Sequence, residues 1–146
     1  MARQNLISND LPARTPVLAI DFDGVLHSYT SGWKGATTLP DPPVPGAIEW
    51  LDSLVEDGDS VCTMAPRFRE FDVCIFSSRA RYWGARAAMK RWLVKWGFPK
   101  HKLGKIRFPL LKPPSHLLID DRAMQFQGSF PSVAEMLEFK PWNRRR

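Results

Sequence analysis

Short apolar runs that end in polar or charged residues recur along this chain. Val17-Leu18-Ala19-Ile20 runs into Asp21-Phe22-Asp23-Gly24. Phe71-Asp72-Val73-Cys74-Ile75-Phe76 runs into Ser77-Ser78-Arg79, and His116-Leu117-Leu118-Ile119 into Asp120-Asp121-Arg122. Runs of this length bury themselves as strands, which predicts a first strand over about residues 17–22 and a later one over 116–120. Elsewhere the apolar period is helical. Ile48, Leu51, Leu54 and Val55 share one face of a helix beginning near Pro45, which Gly58 should end. Ala85, Met89, Trp92, Leu93 and Trp96 make the inner stripe of a helix from about Tyr82 to Trp96. Ser132 with Glu135 forms a capping box for a last short helix, stopped by Lys140-Pro141. Further strands are expected near Ile106 to Leu110 and Met124 to Phe126, whereas Val61 to Arg69 is poorly patterned. Strands alternating with helices predict a mainly parallel α/β sheet with helices on both faces.

Proline, glycine and charge set the expected boundaries. Residues 1–15, polar and broken by Pro12 and Pro16, read as a flexible N-terminal arm. Residues 16–142 read as a single domain, with a long proline- and glycine-bearing flap loop at 25–44, and residues 143–146 as a basic C-terminal tail. A length of 146 residues suits one domain with a real core. The 44% hydrophobic content includes no apolar run of membrane-spanning length, and Met1-Ala2-Arg3-Gln4-Asn5 lacks the apolar stretch of a secretory signal. A cytoplasmic protein without a membrane partner is expected. Cys62 and Cys74 lack a metal-ligand spacing and read as reduced core thiols.

The strand ends carry the candidate chemistry, because open α/β sheets place their ligands at the carboxyl ends of their strands. In a continuing strand Asp21 and Asp23 would share one face, and Gly24 would let the backbone turn sharply. Two carboxyl groups held together repel unless a cation or a shared proton intervenes. The pair therefore points to a hard metal ion, or to an acid and a base with separated pKa values. Ser77, Ser78 and Arg79 deliver hydroxyls and a cation at the second strand end, and Lys112 lies just ahead of the third run. Carboxylates hold a divalent cation, while lysine and hydroxyl groups neutralise and hydrogen-bond phosphoryl oxygens.

In these residues and their order the chain resembles the haloacid dehalogenase (HAD) superfamily of phosphohydrolases, whose four motifs would span Asp21 to Asp121. Asp21 matches the nucleophile, Asp23 the general acid/base, Ser77 the second-motif hydroxyl, Lys112 the third-motif lysine, and Asp120 with Asp121 the acidic fourth motif. Lys105 is a rival for the lysine; Lys112 is preferred because it lies nearer the acids and runs into Pro113-Pro114. The resemblance implies a three-layer Rossmann-like core and a Mg²⁺ cofactor. The metal would be held by Asp21, by the backbone carbonyl of Asp23 and directly by Asp120, with Asp121 ordering a metal-bound water or Lys112. Ser77, Ser78 and Lys112 would bind the phosphoryl oxygens. Such proteins commonly enclose the site under a cap domain, for which neither gap between motifs leaves room here; an uncapped or minimally capped member is implied. Gly24, His27, Tyr29 and Arg79 are then candidate substrate contacts, together with Trp33 and Lys34. The aromatic loop residues either meet the leaving group or fold back on the domain. An oligomer could also supply the missing lid.

Charge divides the chain. Residues 1–62 carry a balance of −6 and the remainder +12, for a net +6. The cations run from Arg67 and Arg69 through Arg79, Arg81, Arg86, Lys90, Arg91 and Lys95 to Lys100, Lys102, Lys105 and Arg107, and end in Arg144-Arg145-Arg146. Interleaved with Trp83, Trp92 and Trp96, they could bind nucleic acid. The helical stripe is the better account of the tryptophans, with Arg86, Lys90, Arg91 and Lys95 on a solvated face. Two functions are expected: a Mg²⁺-dependent phosphomonoesterase whose substrate, a nucleotide or a nucleic-acid end among others, is open, or a non-catalytic nucleic-acid-binding protein on the same scaffold. The intact Asp21/Asp23 pair favours the first.

Overall fold

The computed structural model describes residues 14–56 and 71–144. Gly58, Cys62 and the Val61 to Arg69 stretch lie outside the described residues, as do most of the N-terminal arm and the last two arginines.

Three parallel strands form the sheet: β1 (Val17–Ile20) lies between β2 (Asp72–Ile75) and β3 (Leu117–Ile119). The central strand carries no polar residue and is sealed, as suits a strand flanked on both sides. Leu18, Ala19 and Ile20 are at most 3% exposed. Val73, Cys74 and Ile75 of β2 are equally sealed, and the Cys74 thiol is free and buried, as expected. On the other side Leu117 is half exposed, so the β3 edge is only partly covered.

Register is what builds the site. Ile20 pairs with Ile75 on one side and with Ile119 on the other. All three strands therefore end in one row, and Phe76, Asp21 and Asp120 emerge side by side. Two further hydrogen bonds extend the ladder past that row: Asp21 N–H donates to Ile119 O (2.8 Å) and Phe76 N–H to Ile20 O (2.9 Å).

Helix α1 (Ala47–Ser53) and helix α2 (Ala85–Lys95) supply the rest of the core. Ile48 and Leu51 of α1 and Met89, Trp92 and Leu93 of α2 are buried against Leu18, Ile20 and Phe22. The predicted stripe holds over Ala85, Met89, Trp92 and Leu93; Trp96, at the helix end, is 38% exposed. α2 starts three residues later than the periodicity suggests. Ser78–Arg81 winds as a 3-10 turn, and Gly84 in the left-handed region (φ 77°) separates it from the helix. The short helix α3 (Val133–Glu138) has its predicted capping box, but it buries none of its residues.

Two predicted strands do not form among the described residues. Ile106 to Leu110 makes a single bridge, in which Arg107 N–H donates to Val73 O and Arg107 O accepts from Ile75 N–H. Pro109 then has no N–H with which to continue a ladder. Met124 and Phe126 are at least half exposed and pair with no strand, because a three-residue apolar run lacking a neighbour cannot satisfy its backbone.

The 25–44 loop has no helix or strand, yet its neck is closed. Val44 N–H donates to Leu26 O (2.8 Å) and Ser28 N–H to Pro42 O (3.0 Å), while Leu26 and His27 are fully buried. Asn143, the first residue assigned to the C-terminal tail, docks on the loop beside Trp142, the last residue assigned to the domain. Trp142 Nε1 donates to Gly24 O (2.7 Å) and Asn143 Nδ2 to Ser28 O (3.4 Å). No helix among the described residues is long and apolar enough to cross a membrane.

Candidate metal centre and its acidic neighbour

At the carboxyl edge of the sheet Asp21, Asp120 and Asp121 each turn a carboxylate oxygen inward, and these atoms lie within 4.8 Å of one another. Strand geometry alone brings the first two together, through the shared register of Ile20 and Ile119. Asp121 arrives because the chain turns immediately after Asp120, whose Oδ1 accepts the Arg122 backbone N–H (2.7 Å).

Burial and mutual repulsion act against charge on this cluster. Burial pushes the Asp21 carboxyl up to about 7; the Phe22 N–H, which donates to Oδ1 at 2.7 Å, opposes this, and the charges of Asp120, Asp121 and Asp23 add to it. Burial likewise raises Asp121. The Asp121 side chain is only 2% exposed, and neither of its oxygens has a hydrogen-bond partner. A buried carboxylate without donors is costly. The only nearby cation among the described ion pairs is Arg122, whose Nε stands 3.9 Å away on a side chain 58% exposed. Three converging carboxylates with two uncommitted buried oxygens make a donor set of hard oxygens, which suits Mg²⁺ in kind.

Gly24 makes that approach sterically feasible. It sits at φ +86°, and a Cβ on it would stand 2.3 Å from Asp121 Oδ2. The turn signalled by Gly24 in the sequence thus serves a second end, the admission of Asp121.

Asp23 faces a different set of partners. Its Oδ2 accepts from Arg79 Nε at 2.5 Å and its Oδ1 meets His27 Nδ1 at 2.9 Å. His27 Nε2 accepts the Asp41 backbone N–H (3.3 Å), which leaves Nδ1 as the protonated nitrogen and the donor to Asp23. Asp41 is fixed in turn by the Ser31 hydroxyl (2.5 Å) and N–H (2.9 Å), and its carbonyl accepts from Trp92 Nε1 (3.0 Å). The Trp92 ring stands edge-on to both Phe22 and His27. The core stripe of α2 thereby supports the acid beside the carboxylate cluster.

Arg79 is fully buried. Besides Asp23, it donates from Nη1 to Gly35 O (2.6 Å) and Ala36 O (3.2 Å), and its guanidinium lies 4.4 Å from the Trp33 ring and 5.9 Å from that of Tyr29. Its Nη2 has no partner. Tyr29 holds the left-handed conformation (φ 56°), rare for an aromatic residue. The loop aromatics thus fold back over Arg79. Of the candidate substrate contacts, His27 and Arg79 are sealed from solvent, and the Gly24 backbone is buried too.

Ser77 is buried, and its Oγ accepts the Arg79 N–H (3.2 Å), so the hydroxyl shapes the turn that delivers Arg79. Among the described residues no acceptor takes its proton. Ser78 is exposed in the same turn. Lys112 is exposed and adjoins Pro113, which with Pro114, Val17 and Asp72 lines a cleft at the amino edge of the sheet. Among the described residues Lys112 makes no hydrogen bond or ion pair with Asp21, Asp120 or Asp121. Its rival Lys105 donates to Glu56 O (2.7 Å) behind α1. Neither lysine is brought to the acids; the buried cation beside them is Arg79. Its pairing with Asp23, and the His27–Asp41 support, join residues up to 56 positions apart and left no local signal beyond the charged end of the second apolar run.

The chain matches no family model, no curated protein and no solved structure.

Proposed function

We propose that this chain is a Mg²⁺-dependent phosphomonoesterase of the haloacid dehalogenase kind, working from a three-layer Rossmann-like core without a full cap. The observation that carries the reading is the meeting of Asp21, Asp120 and Asp121, with both Asp121 oxygens buried and unpartnered. A dead scaffold has no reason to keep so costly an arrangement. Mg²⁺ held by these carboxylates, Asp121 foremost, would offset their repulsion and polarise a phosphoryl oxygen.

The remaining chemistry belongs to the chain's own residues. Asp21, ionised, attacks phosphorus through its free oxygen; the ester P–O bond breaks and an aspartyl-phosphate forms. Asp23 gives a proton to the departing oxygen. Water then attacks phosphorus, Asp23 takes its proton, and inorganic phosphate leaves as the bond to Asp21 breaks. To carry that proton Asp23 gives up one hydrogen bond, and the bond to His27 is the cheaper loss, because in the one to Arg79 the donor carries a full charge as well. The Ser77 hydroxyl, with its proton uncommitted, is the donor available to a phosphoryl oxygen. Lys112 enters this scheme only by a movement of residues 112–116, and Arg79 is the better candidate for the fixed positive charge.

The test is turnover of a phosphate-ester panel by wild type and Asp21→Asn, with Mg²⁺ and with EDTA. Metal-dependent hydrolysis by wild type alone is the expected result; equal hydrolysis by Asp21→Asn would remove the aspartyl-phosphate route.

A further inference from the structure

From Val73 to Ile119 the chain contains no Asp or Glu, although it contains five Arg and six Lys. Three of these cations, Arg81, Arg86 and Lys90, stand with Tyr82, Trp83 and Leu110 along an open cleft of 630 Å³ beside the start of α2. Among the described residues none of the three has an acidic partner. Two of them lean on rings instead: Arg81 lies 5.4 Å from Tyr82 and Lys90 5.2 Å from Phe108. Trp83 is 98% exposed and Tyr82 46%, so the cleft joins uncompensated positive charge to a flat indole that contributes nothing to the core.

A chain of contacts, buried at Arg79, links this cleft to the acids. Arg81 and Arg79 belong to the same 3-10 turn, and Arg79 holds Asp23. Trp33 lies on Arg79, and its ring centroid is 6.0 Å from that of Tyr82. Trp33 and Tyr82 are thus in ring contact, and Trp83 follows Tyr82 in the chain, with Arg81 alongside. An acidic peptide would satisfy the cations and leave the indole bare. A duplex hides its base faces, and a small phosphate ester ends before the cleft begins. A single strand of nucleic acid offers both regularly spaced negative charge and open aromatic faces.

We infer that the Trp83 cleft is a track for single-stranded nucleic acid, with a base stacked on Trp83, phosphates on Arg81, Arg86 and Lys90, and a phosphorylated end directed toward Asp21. Only the last clause rests on the phosphatase reading; the binding stands without it.

The experiment is fluorescence anisotropy of the full chain with a labelled oligothymidylate about 15 nucleotides long, in EDTA so that hydrolysis does not intervene. Trp83→Ala, which removes no buried contact, should weaken binding about tenfold. Arg86→Ala with Lys90→Ala should flatten the dependence of log K on log salt by about 0.7 for each cation removed. The duplex of the same sequence should bind more weakly. Unchanged affinity in Trp83→Ala, or a duplex bound as tightly as the single strand, would overturn the track. Hydrolysis of an aryl phosphate with no oligonucleotide binding would remove the track and leave the phosphatase. Trp83-dependent binding with no hydrolysis of any phosphate ester would do the reverse.

Discussion

Gly24 and Asp121 approach so closely that no side chain fits between them: a Cβ on Gly24 would stand 2.6 Å from Asp121 Cγ and nearer still to its Oδ2. The two residues are 97 positions apart (121 − 24), yet the conformation of one admits the charge of the other.

Gly24→Ala should therefore fail in two ways. The left-handed backbone penalises any Cβ, and the carboxylate must move aside; together these should cost about 1–3 kcal/mol of stability. Mg²⁺ should also stabilise the variant less than it does wild type. Urea unfolding with and without Mg²⁺ reads both effects, and an unaltered metal response would show that Asp121 is no ligand.

Asp21 predicts the pH dependence. Its folded pKa is raised to about 7, from an unfolded value near 4. The stability linked to this group is thus present in full below about pH 4 and is lost as pH rises through about 7. The metal-free protein should lose stability over that window, and Asp21→Asn should lose less. Mg²⁺ competes with the proton, so its stabilising effect should be larger at pH 8 than at pH 5. Parallel stability–pH curves for wild type and Asp21→Asn, measured in EDTA, would count against a strained buried carboxylate.

Arg79→Met should destabilise by about 3 kcal/mol, because it strands the Asp23 carboxylate and frees the Gly35 and Ala36 carbonyls in a buried setting. A double-mutant cycle with Asp23→Asn should return a coupling of about 1–3 kcal/mol. Additive losses would mean that the two side chains are held independently.

Trp142→Phe keeps the ring and deletes the hydrogen bond to Gly24 O, at a cost of about 1 kcal/mol. Since Gly24 borders the acids, hydrolysis and metal response should weaken along with stability. A loss of stability with both activities intact would confine Trp142 to a packing role.

What the sequence revealed follows from distance along the chain. Asp21 and the Asp120-Asp121 pair were legible because each directly follows an apolar run, and parallel strands in register bring such neighbours together without any long-range contact having to be guessed. The α2 stripe and the Ser132–Glu135 box were legible for the same local reason. Arg79 and Asp23, or Trp142 and Gly24, meet only once the loops have closed over the sheet, and no periodicity encodes that. Lys112 shows the opposite hazard. Nearness to Asp120 in sequence suggested nearness in space, but a strand intervenes, and a strand carries its two ends apart.

The common register of β1, β2 and β3 has a consequence for how this chain can vary. Removing one residue from β1 would leave a pairable strand, yet it would turn Asp21 toward the opposite face of the sheet, because side chains alternate at every position. Lengthening the 25–44 loop beyond its closed neck would disturb none of the three strand ends. Descendants of this chain can thus gain residues within the loop as long as Ser31, Trp33, Gly35 and Ala36 keep their contacts with Asp41 and Arg79, while a single-codon deletion between Val17 and Ile20 would turn Asp21 away from Asp120 and Asp121.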